Sequence, residues 1–166
     1  SIALFWLITF LTPGLNNEVA SYSGFNFGIT KTIPHILGVT LGFTSLVIFL
    51  TIGLINVFKL FPIIQLTIKY LGTLFLIYLA YKIASSTNSS NIQKENPVKF
   101  IETFLFQYLN PKGVMVAIIV VSTYVELGEN YINYATQVVL LAFLFSATSI
   151  TLWTFIGKFL RKFATN

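Results

Sequence analysis

Long apolar runs, separated by short polar stretches, make up most of the chain. A helix needs about 20 mostly apolar residues to cross the hydrocarbon core of a bilayer. Five segments meet that requirement. The first runs from Ile2 to about Phe27 and is interrupted at Thr12-Pro13-Gly14, and the second runs from about Ile33 to Phe58. The third starts after Pro62 and ends near Ala84. The fourth, from about Lys99 to Val125, is interrupted at Asn110-Pro111-Lys112, and the fifth runs from about Tyr131 to Phe155. Residues 85–98, SSTNSSNIQKENPV, form a long polar stretch that reads as a linker loop between two similar halves.

The breaks in the first and fourth segments carry the most information. Proline removes a backbone hydrogen bond and clashes with the preceding turn. Thr and Asn are good N-cap residues, and proline suits the first helical position. Thr12-Pro13 and Asn110-Pro111 therefore each predict a new half-helix, one starting at Pro13 and one at Pro111. The second segment opens about twenty residues after Pro13 and the fifth about twenty after Pro111, the internal repetition expected of a transporter. The third opens roughly fifty residues after Pro13, so its counterpart belongs near Leu160, shortly before Asn166. Halves with three spans each insert in opposite directions. The expected fold is an all-α integral membrane protein, with five transmembrane helices of a six-helix, three-plus-three inverted-repeat bundle whose first and fourth helices are broken. Residues 1–84 are the first repeat, 85–98 the linker, and 99–166 a second repeat without its sixth helix.

In lipid, a broken helix is tolerated where it faces protein or a water-filled cavity. Helix N-termini carry free N–H groups and about half a positive charge, and they attract carboxylates. Two such ends meeting at the midplane predict a site for the carboxylate of a small substrate. The candidate contacts are Thr12, Pro13, Gly14, Asn16 and Asn17 at the first break, and Gln107, Asn110, Pro111 and Lys112 at the second. Glu18 would pair with Lys112 or with a substrate ammonium, and is the first candidate for energy coupling. Lys69, inside the third segment, is a second candidate, against the alternative that it snorkels to the outer interface. In the competing reading both prolines are simple kinks, in a non-transporting membrane scaffold or an ion channel.

Composition sharpens this picture. Only 9% of residues are charged, 55% are hydrophobic and the mean hydropathy is +0.82; a soluble domain carries about 25% charged residues. There is no cysteine and a single histidine, His35, which excludes disulfide frameworks and multi-histidine metal sites. No nucleophile–base set or acidic metal cluster is legible, so neither an enzyme nor a cofactor is expected. The net charge of +5 sits at helix ends, which points to the bilayer and not to nucleic acid. Lys31, Lys82, Lys94, Lys99, Lys158, Arg161 and Lys162 share one side and Lys59 lies on the other, so loop 85–98 and the C-terminal end are expected in the cytoplasm. Ser1 to Leu11 lack a basic leader region and read as part of a membrane helix.

Thr12-Pro13-Gly14-Leu15-Asn16-Asn17 resembles the TPGPNN signature in the first helix of LysE/RhtB-type exporters, and Asn110-Pro111-Lys112 resembles the NPK signature of their fourth. Pro34 to Gly38 with Gly42, Lys69 to Gly72 through Tyr78 to Lys82, and Gly157 to Lys162 look like the second helix, the third helix and the approach to the sixth. The resemblance spans nearly the whole chain. It implies an exporter of amino acids or close metabolites in the bacterial inner membrane, driven by the proton gradient or membrane potential, with a small amino-acid substrate and a possible homodimer. LAYKIASS before the loop and FQYLNPK after it are similar to the cysteine/O-acetylserine branch. The chain departs from the pattern at Leu15, where the family usually has a second proline.

Other residues have plainer expectations. Gly24 with Gly28, and Gly38 with Gly42, form small-xxx-small pairs that predict close helix packing. Glu102 is expected to pair with Lys99 at i, i+3. His35 is expected to hydrogen-bond near the cytoplasmic interface, with proton coupling as the alternative. Trp6, Tyr131 and Trp153 read as interface or packing residues.

Overall fold

The computed structural model describes residues 2–64, 67, 70, 96–126 and 128–164. The described elements are helical. They comprise α1 (Ile2–Leu11), α2 (Leu15–Phe27), α3 (Ile29–Phe49), a π-helical turn (Leu50–Leu54), α4 (Ile55–Leu60), α5 (Phe100–Leu109), α6 (Pro111–Tyr124) and α7 (Tyr131–Ala164). Ile29–Gly53 and Tyr131–Ala164 are each long and apolar enough to cross a membrane, and α5 with α6, bent by 62° at the break, meets the same measure if the two are taken together as one broken span. The predicted third segment lies almost wholly outside the described residues, as do Lys69 and most of the 85–98 linker.

The bend between α5 and α6 has the predicted cause. Asn110 is the N-cap, in an extended conformation, and Pro111 occupies the first helical position. The other break differs from expectation. Thr12 Oγ1 donates back to the Ile8 carbonyl at 2.5 Å, which makes Thr12 the tail of α1 and not the cap of α2. The new helix starts at Leu15, not Pro13, with extended Gly14 as its N-cap. The residue before a proline is pushed out of the helical region, and here the chain takes two more residues to re-enter it.

At 13 residues α2 is too short to count as a membrane span by itself. Its buried residues are Asn17, Ala20, Ser23 and Gly24, and it packs chiefly on α7. Glycines make that crossing tight. A Cβ on Gly24 would strike the Thr154 backbone, and one on Gly157 would strike the Ser21 backbone. Gly38 and Gly42 do the same for α3 against α5, where a Cβ would come within 2.7 Å of Thr103 Cβ and of the Phe104 carbonyl oxygen respectively. Gly28 is different: nothing lies within 4 Å of its missing Cβ, and its φ of +81° makes it the turn residue between α2 and α3. So the expected packing holds at Gly24, Gly38 and Gly42, while Gly28 is retained for backbone conformation.

The main apolar cluster sits on one side of the two breaks. Trp6, fully buried, stacks on Phe10 at 5.1 Å and meets Phe43 edge-on at 6.0 Å. Val120, Val121, Val138 and Ala142 close the cluster from α6 and α7. Large apolar side chains such as Ile8, Phe49, Ile52, Leu109 and Leu144 are exposed, whereas Asn17, His35, Thr103, Gln107 and Ser149 are buried. An apolar exterior around hydrogen-bonded polar groups is the distribution that lipid imposes.

Candidate functional site

The two breaks meet. Lys112, in the first turn of α6, reaches across to the end of α1, where its Nζ donates to the Thr12 carbonyl at 2.8 Å and approaches the Pro13 carbonyl at 3.5 Å. Gly14 makes room for it, since a Cβ there would lie 3.0 Å from Lys112 Cδ and 3.2 Å from Nζ. Carbonyls at a helix C-terminus carry partial negative charge, so the ammonium is held by the half-helix that precedes the break.

Two carbonyls at the end of α1, those of Phe10 and Thr12, have further side-chain donors. Asn17 Nδ2 donates to Phe10 O at 3.1 Å and to Thr12 O at 3.0 Å. Ser149 of α7 donates to Phe10 O at 2.7 Å and reaches Asn17 Oδ1 at 3.5 Å. Orphan carbonyls in a membrane helix cost several kcal/mol unless satisfied, and Asn17 and Ser149 remove that cost. Asn17, expected as a substrate contact, has both amide hydrogens committed to the backbone.

A cleft opens between the first turns of α2 and α6. Its walls include Gly14, Asn16 and Asn17 on one side and Asn110, Lys112 and Gly113 on the other, with Phe43 and Ser146 behind them. The first intrahelical bonds are Glu18 N–H to Gly14 O and Val114 N–H to Asn110 O, both at 2.9 Å. The amides ahead of Glu18 and Val114 are therefore left out of either helix ladder. Asn110 is buried, and its side chain makes no capping bond. The space in this half-open cleft is about 50 Å³, room for a few waters and too little for an amino acid.

The remaining predicted residues divide. Gln107 is fully buried and does not line the cleft; it forms a reciprocal amide pair with Asn16, at 2.7 and 3.1 Å, and donates to Thr103 O at 2.9 Å. Thr12 and Pro13 are exposed and contribute their carbonyls, whereas Pro111 is buried and sets the bend. Glu18 is exposed and outside the cleft, and among the described residues it forms no ion pair with Lys112, although its charge is near enough to act on that ammonium. Glu102 accepts the Lys99 backbone N–H at 3.3 Å instead of pairing with the Lys99 ammonium.

Ser146, Ser149 and Thr103 were absent from the sequence-based set. Their signal was available: small polar residues on a lipid-crossing helix face protein, and Ser146 and Ser149 lie one turn apart on α7. His35, expected to hydrogen-bond, does so from both ring nitrogens; it is only 3% exposed and bridges α2 and α5.

Residues 7–166 match the family model described as LysE type translocator. The cysteine/O-acetylserine efflux protein of Salmonella typhimurium is 28% identical over 164 residues, covering 97% of this chain and 84% of the relative. The cysteine/O-acetylserine efflux protein of Escherichia coli K12 is 25% identical over 165 residues, with the same coverage of 97% and 84%. No solved structure matches.

Proposed function

The chain belongs to the LysE type translocator family, and on that footing we propose that it exports an amino acid of the cysteine or O-acetylserine class across a bacterial inner membrane. The relatives' names suggest the substrate class. The observation that carries the mechanism is the convergence of Lys112 and two helix first turns on one cleft.

The substrate carboxylate rests between the free amides of α2 and α6, where each N-terminus contributes about half a positive charge. Lys112 supplies the full charge. It is able to leave Thr12 O for the carboxylate because Asn17 still donates to that oxygen at 3.0 Å. Glu18, one turn along α2, answers the ammonium once the cleft has widened. The cleft is too small for an amino acid as it stands, so binding requires the half-helices to swing apart about Gly14 and Asn110. That movement opens the site to one face of the membrane and then to the other. In the same reading, three-plus-three inverted repeats place loop 85–98 and the C-terminal end in the cytoplasm, and two copies form a dimer.

The test is efflux of radiolabelled O-acetylserine or cysteine from liposomes carrying the full-length protein, comparing wild type with Lys112→Met. A charged hydrogen bond contributes about 1.5–3 kcal/mol, so the variant is expected to lose roughly 10- to 100-fold in apparent affinity. It should keep its monodisperse elution, because Thr12 O retains Asn17. Efflux by Lys112→Met with wild-type affinity, or no efflux of either compound by wild type, would overturn the reading.

A further inference from the structure

Beside the cleft, on the other side of Asn16, lies a second cavity of about 250 Å³ between α2, α3 and α5. Leu15, Asn16, His35, Glu102 and Thr103 are among its walls. From this junction we propose that His35 is the proton-coupling site of transport, exchanging its proton with the cytoplasm through this crevice. The inference rests on the export reading given above and adds the residue that couples transport to the proton.

The ring is held at both nitrogens. Nε2 lies 3.1 Å from the Asn16 carbonyl and Nδ1 lies 3.2 Å from Thr103 Oγ1. A carbonyl only accepts, so Nε2 carries its hydrogen in either charge state. Nδ1 faces a hydroxyl, which both donates and accepts. In the neutral ring the Thr103 hydroxyl donates to Nδ1; in the protonated ring Nδ1–H donates to the hydroxyl. The same atoms therefore satisfy both states without moving the helices, and imidazole is the side chain that titrates near neutral pH.

The proton has a route and a readout. Of the charged groups on α3 and the elements packed against it, namely Lys31 on α3 itself, Glu18 on α2, Lys99 just ahead of α5 and Glu102 on it, Lys112 on α6, and Lys158, Arg161 and Lys162 on α7, Glu102 is the one that shares the crevice with His35. Glu102 is exposed, which suits it to pass a proton between bulk water and the ring. Inward, protonation turns the Thr103 hydroxyl around. The Thr103 carbonyl holds Gln107, Gln107 holds the Asn16 side chain, and the Asn16 carbonyl holds His35. Asn16 lines both the crevice and the carboxylate cleft. One residue thus senses the proton on its main chain and walls the substrate site.

The experiment uses full-length protein in liposomes with radiolabelled O-acetylserine as the probe. Counterflow, which needs no net proton movement, is measured beside net efflux under a gradient of one pH unit, a driving force equivalent to about tenfold in concentration. Wild type should show both, with net efflux accelerated by the gradient. His35→Gln keeps a donor and an acceptor; it should retain counterflow within about twofold and lose the acceleration. Thr103→Val should retain acceleration with a displaced pH midpoint. A wild-type protein that exchanges O-acetylserine but ignores the gradient refutes the coupling and leaves export standing; a wild type that moves no substrate in either assay removes export as well. His35→Gln that follows the gradient like wild type, or that loses both activities together, also overturns the proposal, the latter because it marks a structural histidine.

Discussion

Replacing Gly42 by alanine tests whether the α3–α5 crossing is as tight as the geometry implies. A Cβ at Gly42 would lie 2.7 Å from the Phe104 carbonyl oxygen, 2.8 Å from Gln107 Cγ and 3.1 Å from Phe104 Cα. Carbon pairs rest about 3.5–4.0 Å apart, so Gln107 Cγ has to retreat by about 0.7 Å or more. Phe104 contributes backbone atoms, which cannot swing away as a side-chain tip would. Gln107 is fully buried, and its bonds to Asn16 are 2.7 and 3.1 Å long. A displacement of that size along those bonds carries the longer one past the range of about 2.7–3.2 Å for an N–H···O bond. Overpacking of this kind costs about 1–3 kcal/mol, and the weakened amide pair adds about 0.5–1.5 kcal/mol. Thermal unfolding in detergent should therefore show a clearly lower Tm for Gly42→Ala. The matched control is Gly53→Ala in the π turn, where nothing lies within 4 Å of the new methyl; it should leave Tm unchanged or slightly raised, since alanine is the better helix former. Equal Tm for Gly42→Ala and wild type, or equal losses in both variants, would refute the argument.

Two further substitutions probe the backbone around the breaks. Asn17→Leu removes donors to Phe10 O and Thr12 O while Ser149 and Lys112 keep one bond to each; denaturation should report a loss of about 1–3 kcal/mol, a sum well short of two orphaned carbonyls. Gly28→Ala meets no neighbour but must adopt φ +81°, so it should cost about 1–3 kcal/mol from backbone strain, visible as a lower Tm with no change in the α2–α7 crossing measured by cross-linking.

Part of this protein follows from local chemistry, and that part was legible in the sequence. Apolar runs of membrane length mark α3, α7 and the α5–α6 span, because lipid demands internally bonded backbone. Asn110-Pro111 marks its own break, because a proline at the first helical position acts within one turn, although the Asn110 side chain makes no capping bond. The glycines of α3 announced a close approach for the same reason: only their own missing side chain is at issue. The start of α2 was less legible. The competition between Thr12 capping forwards and bonding back to Ile8 was decided once Lys112 and Asn17 took up the freed carbonyl.

The partners of the polar residues came from tertiary structure alone. Asn16 meets Gln107 across 91 positions, Ser149 meets Phe10 across 139, and His35 meets Thr103 across 68. Nothing in a local pattern encodes the helix rotations that produce these pairs. They tied Gln107 and Asn17 into hydrogen bonds that support the two breaks, left Glu18 outside the cleft, and buried His35 between α2 and α5. In a bilayer the hydrophobic effect does not distinguish one helix face from another, so close packing at Gly24, Gly42 and Gly157 and the need to satisfy buried polar groups choose the rotation. That choice depends on all the helices together, which is why the sequence could say that polar groups would meet at two breaks, and only the assembled bundle could say which ones.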